Sequence, residues 1–315
     1  MHFLEKELSW LSFNHRVLQE AQDENVPLLE RLRFLGIYSS NMDEFYRVRV
    51  ASVRREVLLS NNIGQDKKPL VLFNQIQNKV ISLQIIFDET YQILLQQLAT
   101  NDIHLINELQ LSNAQKSWLD QYFKDKLRRH IFPLILNVQT TLAEHINDDA
   151  TYLMVSMTKG ELCQYALVEV PSNNVPRFVI LPNNKSDKTK GTSLILLDNI
   201  IRHCLIQIFS GFFDFDSIAA YSMKLTRDAE FDLSNEFSQS LSEQMSSSLK
   251  QRINAEPVRL VYDKKMPQSM LDTLKSQFDI SSNQGLISGG RYHSFKDFIE
   301  FPSIGDKSLE HEKLL

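Results

Sequence analysis

Cysteine is scarce: the 315 residues hold two, Cys163 and Cys204, each inside an apolar stretch. That usage argues against a disulfide framework and a thiolate metal cluster, and fits small buried hydrophobes in a reducing compartment. Long apolar runs are also missing, and none approaches the ~20 residues needed to span a bilayer. Residues 1–7 carry neither a basic n-region nor an apolar h-region. The expectation is a cytoplasmic protein without an export signal, with peripheral attachment to the inner membrane through partners as the variant. Positive charge is not in excess. The formal net charge is -5, which argues against a nucleic-acid partner, because sequence-independent phosphate binding needs a basic surface. A local basic patch could still hold a polyanion. No Gly-rich Lys-Ser/Thr loop of the P-loop kind occurs. His2, His15, His104, His130, His145 and His203 lack zinc-ligand spacing, so no metal ligand is assigned.

What is present is ordinary globular sequence, 43% hydrophobic and 23% charged, enough for a sizeable core. Domains of ~100–200 residues make two the natural number. The first hundred residues read as helices. Leu4, Leu8, Leu11, Val17 and Leu18 form one stripe, and Leu28, Leu29, Leu32 and Leu35 a second, opened by Pro27. Ser39 or Ser40 is placed to cap a restart, after which Phe45, Tyr46, Val50, Val53 and Val57 continue an apolar face. Turn chemistry at residues 61–69 ends that rod, and Ile76, Val80, Leu83, Ile86, Tyr91 and Leu94 mark a third long helix. Short connections between three long helices predict an antiparallel bundle over residues 1–102.

Residues 103–315 change character and read as a second, α+β domain with a mixed or antiparallel sheet. A helix capped by Ser112 comes first. Strand-like runs at 152–157 and 165–170 form a hairpin, and shorter strands follow at 178–181, 219–225 and 258–262. Helices are expected at 195–208, 235–250 and 270–278, and the polar stretch 183–191 is a loop. Phe209, Phe212, Phe213 and Phe215 cluster, as core by default or as a dimer contact.

Five stretches carry a resemblance. They are residues 5–14 (Glu5-Lys6-Glu7-Leu8-Ser9-Trp10-Leu11-Ser12-Phe13-Asn14), 33–45 (around Ser39-Ser40-Asn41-Met42-Asp43-Glu44-Phe45), 224–230 (Lys224-Leu225-Thr226-Arg227-Asp228), 256–259 (Glu256-Pro257-Val258-Arg259) and 289–298 (Gly289-Gly290-Arg291-Tyr292-His293). In order and spacing they resemble the polyphosphate kinase family over nearly the whole chain. The resemblance implies a helical N-terminal domain and an α+β middle or head domain. It also implies two phospholipase D-like catalytic domains that lie outside this chain. The family transfers the γ-phosphate of ATP reversibly to inorganic polyphosphate, with magnesium, through a phosphohistidine of the C-terminal half. The implied partners are therefore ATP or ADP, polyphosphate, the C-terminal domains of the same enzyme, and a second copy in a homodimer or higher oligomer. Magnesium is expected mainly on the C-terminal half, and no catalytic residue on this one.

By its place in the second stretch, Asn41 matches the family's ATP-contacting asparagine. A carboxamide offers donor and acceptor side by side, matching the N6/N7 edge of adenine. The plainer alternative is a helix cap, with Asp43 and Glu44 suiting a helix start. Arg47 and Arg54, seven apart and so on one helical face, are candidates for polyphosphate, or else a solvated face paired with nearby glutamates. Arg291, His293 and Lys296, after Gly289-Gly290, are candidates for polyphosphate or interdomain contact. His311-x-Lys313 mimics the start of a phospholipase D motif and is read as coincidence. The other reading of the chain is a stand-alone, non-catalytic binding or assembly module that dimerises or associates with the full-length enzyme.

Overall fold

The computed structural model describes residues 5–63, 67–137, 142, 145–148, 150–182, 191–228, 257–278, 280 and 285–312. The helix expected at 235–250 and most of the loop at 183–191 lie outside the described residues, as does Lys313. Helices α1 (Lys6–Gln22), α2 (Leu28–Glu44), a π-helical turn (Phe45–Val50), α3 (Ala51–Ile63) and α4 (Lys68–Thr100) make up the N-terminal layer. α2, the π turn and α3 form one unbroken rod, so three rods pack together. The restart at Ser39 or Ser40 does not occur. Tyr38, Met42, Phe45 and Tyr46 are all buried, and their packing carries helical backbone through a Ser-Ser-Asn stretch whose local preference is to stop.

Strand β1 (Ile103–Ile106) follows, then α5 (Asn113–Tyr122), β2 (Leu134–Ile135), β3 (Tyr152–Lys159), β4 (Leu162–Glu169), β5 (Phe178–Ile180) and β6 (Thr192–Leu196). After these come α6 (Leu197–His203), α7 (Leu205–Phe209), β7 (Ser217–Thr226), β8 (Arg259–Asp263), α8 (Gln268–Gln277) and β9 (Leu286–Gly289). Ser112 caps α5 in a full capping box with Gln115. The β3–β4 hairpin turns at Gly160, whose φ of 56° suits glycine. The strands form a three-stranded sheet, β1-β6-β5, and a six-stranded sheet, β2-β4-β3-β7-β8-β9. β1 runs parallel to β6 and β9 parallel to β8; the other pairs are antiparallel. The sheets are thus mixed.

The trace changes from helix to strand between Thr100 and Ile103, but the packing does not stop there. The core beneath α2 and α4 is completed by Phe295, Phe298 and Phe301 from a 3-10 segment (Lys296–Glu300) and its flanks, with Leu194 and Leu196 of β6. Phe298 stacks edge-on to Tyr91 at 5.9 Å and to Phe178 at 5.0 Å. Gly36 of α2 lies against this segment so tightly that a Cβ there would sit 2.5 Å from the Ile299 backbone nitrogen.

A polar joint ties the end of the α2 rod to the six-stranded sheet. Lys224 of β7, 2% exposed along its side chain, reaches Asp43 with its ammonium, and Arg259 Nη1 lies 3.5 Å from the other Asp43 oxygen. The Arg259 guanidinium covers the Tyr46 ring at 4.6 Å. The buried Arg54 donates to the Pro257 carbonyl. His293 is buried and its Nε2 lies 3.1 Å from Ser222 O. A carbonyl only accepts, so Nε2 carries the ring proton. Gly289 makes room for that ring: a Cβ there would lie 2.9 Å from His293 Cε1.

Two outcomes follow from this packing. Gly36→Ala should lower the melting temperature, because overpacking against backbone costs ~1–3 kcal/mol, which exceeds the ~0.5–1 kcal/mol an alanine adds inside a helix. An unchanged or raised Tm would show that the 3-10 segment gives way. Burial, then the nearby cations, push His293 down to about 3, despite the opposing bond to Ser222. Its folded value lies below its unfolded value of ~6.5, so the associated stability is complete above pH ~6.5 and is lost as pH falls toward 3. The slope cannot exceed one proton, ~1.4 kcal/mol per pH unit. Urea midpoints between pH 7.5 and 4.5 should show that slope in the parent, and a shallower one in His293→Gln.

Candidate functional site

The π turn decides which side chains reach the surface. Its i→i+5 turns are wider than those of an α-helix, so a seven-residue spacing across it no longer keeps one face. Arg47, inside the turn, lines an open cleft with Ser40, Asn41, Asp43 and Glu44 from the end of α2. Arg54, beyond it, is turned into the joint at Pro257. Of these two arginines, seven apart with the π turn between them, Arg47 alone lines the cleft. The opposite wall of the cleft is Asp148, Thr226 at the end of β7, and Lys296 at the start of the 3-10 segment.

Three of the sequence-predicted residues thus meet in one place: Asn41, Arg47 and Lys296. Asn41 is partly exposed and mid-helix, with backbone hydrogen bonding running on into the π turn, so it is not a cap. Its Nδ2 donates to Asn14 Oδ1 at 3.0 Å. Asn14, with no exposure at all, in turn donates from Nδ2 to Tyr38 O at 3.3 Å.

Charges in the cleft are matched. Asp43 and Glu44 are not a bare acidic pair at a helix start: Asp43 is held by Lys224 and approached by Arg259, and Glu44 pairs with Arg47. Asp148 accepts from Arg227 Nη1 at 3.1 Å. Burial lowers the Lys224 ammonium from the usual lysine range, and Asp43 opposes that shift.

Arg54, Arg291 and His293 are not brought to this cleft. Arg291 makes a two-pronged contact from Nη2 to Glu108, at 2.5 and 2.6 Å, and His293 is buried in the joint. Asp120, His203 and Cys204 hold potential ligand atoms within 4.8 Å of one another. Asp120 Oδ1 takes hydrogen bonds from Gln207 at 2.5 Å and meets His203 Nε2 at 3.1 Å, while burial pushes the Cys204 thiol up to about 12, aided by Asp120. Sequence reading gave no role to Asn14, Lys224 or Asp148. Asn14 did leave a signal: it interrupts the buried stripe Leu11, Leu18, Ala21 with a polar side chain.

Two family models match the chain, one for the N-terminal domain of polyphosphate kinase over residues 3–106 and one for its middle domain over residues 114–301. The polyphosphate kinase of Salmonella typhimurium is 52% identical over 312 residues, covering 99% of this chain and 45% of its own length. That of Escherichia coli K12 is 51% identical, with the same coverage. The crystal structure of polyphosphate kinase from Porphyromonas gingivalis matches with a TM-score of 0.79 and 28% identity, over 100% of this chain and 43% of that one. The chain spans less than half the length of these relatives. By the family models, the curated relatives and the shared fold, it belongs to the polyphosphate kinase family.

Proposed function

We propose that this chain supplies the adenine-side nucleotide contact of a polyphosphate kinase, through Asn41, and that phosphate transfer belongs to the C-terminal half of the enzyme. The observation that carries this reading is the convergence of Asn41, Arg47 and Lys296 on one cleft. The carboxamide suits the base, and Arg47, which pairs with Glu44, and Lys296 share the cleft with it. The family reaction moves the γ-phosphate of ATP to polyphosphate through a phosphohistidine, and such chemistry needs a positioned nucleophile and converging cations. Magnesium belongs with that half as well. The cleft carboxylates Asp43, Glu44 and Asp148 are each in an ion pair, a donor set that does not suit a hydrated dication. A homodimer in the cytoplasm is part of the same proposal. Ile206, Phe212 and Phe213 leave an apolar surface at α7 and the turn before β7, and this is also the feature favouring an assembly module.

In a full-length enzyme, Asn41→Ala should raise KM for ATP roughly 3–10-fold, the worth of one neutral hydrogen bond, with kcat little changed and the melting temperature lowered, because the enclosed Asn14 oxygen loses its donor. Unchanged ATP kinetics would remove Asn41 from the nucleotide site. The chain alone, incubated with ATP and magnesium, should make neither polyphosphate nor a stable phosphohistidine. Either product would return the chemistry to this half.

A further inference from the structure

We infer that Asn14 is a positioning residue that fixes the orientation of the Asn41 carboxamide and thereby favours adenine over guanine; this rests on the reading of the cleft as the base site. The orientation follows from a chain of forced hydrogen bonds. The Tyr38 carbonyl only accepts, so the amide nitrogen of Asn14 must face it, at 3.3 Å. With its nitrogen turned to Tyr38, Asn14 presents its oxygen toward Asn41. Asn41 must answer with its nitrogen, at 3.0 Å. One Nδ2 hydrogen of Asn41 is thus committed inward, leaving Oδ1 and the second Nδ2 hydrogen for a ligand. An acceptor beside a donor matches the N6 amino group and N7 of adenine. Guanine presents O6 and N7, both acceptors, so its O6 would face the Asn41 oxygen.

Asn14 has the burial such a role needs. It is fully enclosed between Leu11 and Leu18 on the buried face of α1. A polar side chain there is destabilising unless its hydrogen bonds are met, and the two partners given above meet them. Without Asn14, the Asn41 amide is free to turn over, and acceptor and donor exchange places.

The test is a double-mutant cycle in a full-length kinase carrying this chain as its N-terminal half, with ATP and GTP as alternative phosphate donors. Asn14→Ala should raise KM for ATP and narrow the ATP-over-GTP preference in kcat/KM, each roughly 3–10-fold as for one lost neutral hydrogen bond, with kcat kept. In an Asn41→Ala background the same substitution should add nothing further. Asn14→Asp keeps an acceptor toward Asn41 while giving up the donor to Tyr38; it should lower stability yet retain the preference, and it serves if the alanine variant does not fold. If Asn41→Ala alters ATP use but Asn14→Ala leaves KM and the preference unchanged, or the two effects simply add, the positioning role is wrong. Loss of the preference in Asn14→Asp as complete as in Asn14→Ala overturns it equally. If Asn41→Ala itself changes nothing, the base site is misplaced and the inference falls with it.

Discussion

The contact between Lys224 and Asp43 sets the geometry of everything around the cleft. An ammonium that is 2% exposed has no route to water, so its charge must be met by the protein. Its partner comes from the far layer, 181 positions away in sequence. Removing Asp43 would strand the Lys224 ammonium in the interior, at a cost of about 3–5 kcal/mol. The pair thus makes one register of the α2 rod against β7 far cheaper than its neighbours. Asn41 lies two residues before Asp43 and Thr226 two residues after Lys224. The walls of the cleft are therefore set by the same contact that joins the layers.

Adhesion and register are divided between two parts of that interface. Phe178, Phe295, Phe298 and Phe301 pack with Tyr91 and Phe87 beneath α2 and α4. Burying those rings drives association strongly, but the attraction is largely non-directional and tolerates sliding. The polar joint of Lys224, Asp43, Arg259, Arg54 and His293 does the reverse: it contributes little net energy and penalises every misalignment. The cleft opens at the polar end. A recognition site gains there, because hydrogen-bond geometry is held tightly.

Long periodic elements were legible in the sequence. The stripes of α1, α2 and α4 and the β3–β4 hairpin each bury enough in one segment to declare their period. The elements that stayed hidden are β1, β2, β6 and β9, of four, two, five and four residues. Such runs hold no period, and each exists only because a distant strand pairs with it, as Ile103 does with Thr192. The continuity of α2 was hidden for another reason. Ser39, Ser40 and Asn41 favour a cap locally, while the burial of Tyr38 and Met42 on the opposite face outweighs them. The π turn left no mark at all. Asn41 was singled out through the resemblance, whereas its hydrogen-bond partner Asn14 stood only as an unexplained polar residue among leucines.

The charge pattern of the cleft bears on which end of a nucleotide it suits. Asp43, Glu44 and Asp148 would repel a triphosphate if they stood bare, yet each is engaged by a cation from the surrounding walls. What they present is close to neutral and rich in oriented dipoles. A neutral heterocycle is held well by such a surface, since it asks for shape and two hydrogen bonds and brings no charge to be compensated. A triphosphate would need cations that are not already committed. On the proposed reading, the base therefore lies at Asn41 and the phosphates run past Arg47 and Lys296 toward the half of the enzyme that supplies the reacting groups. A net charge of -5 over the chain is no obstacle to that arrangement, because what a polyanion meets is the local field at the cleft mouth, screened beyond ~8–10 Å at ordinary salt.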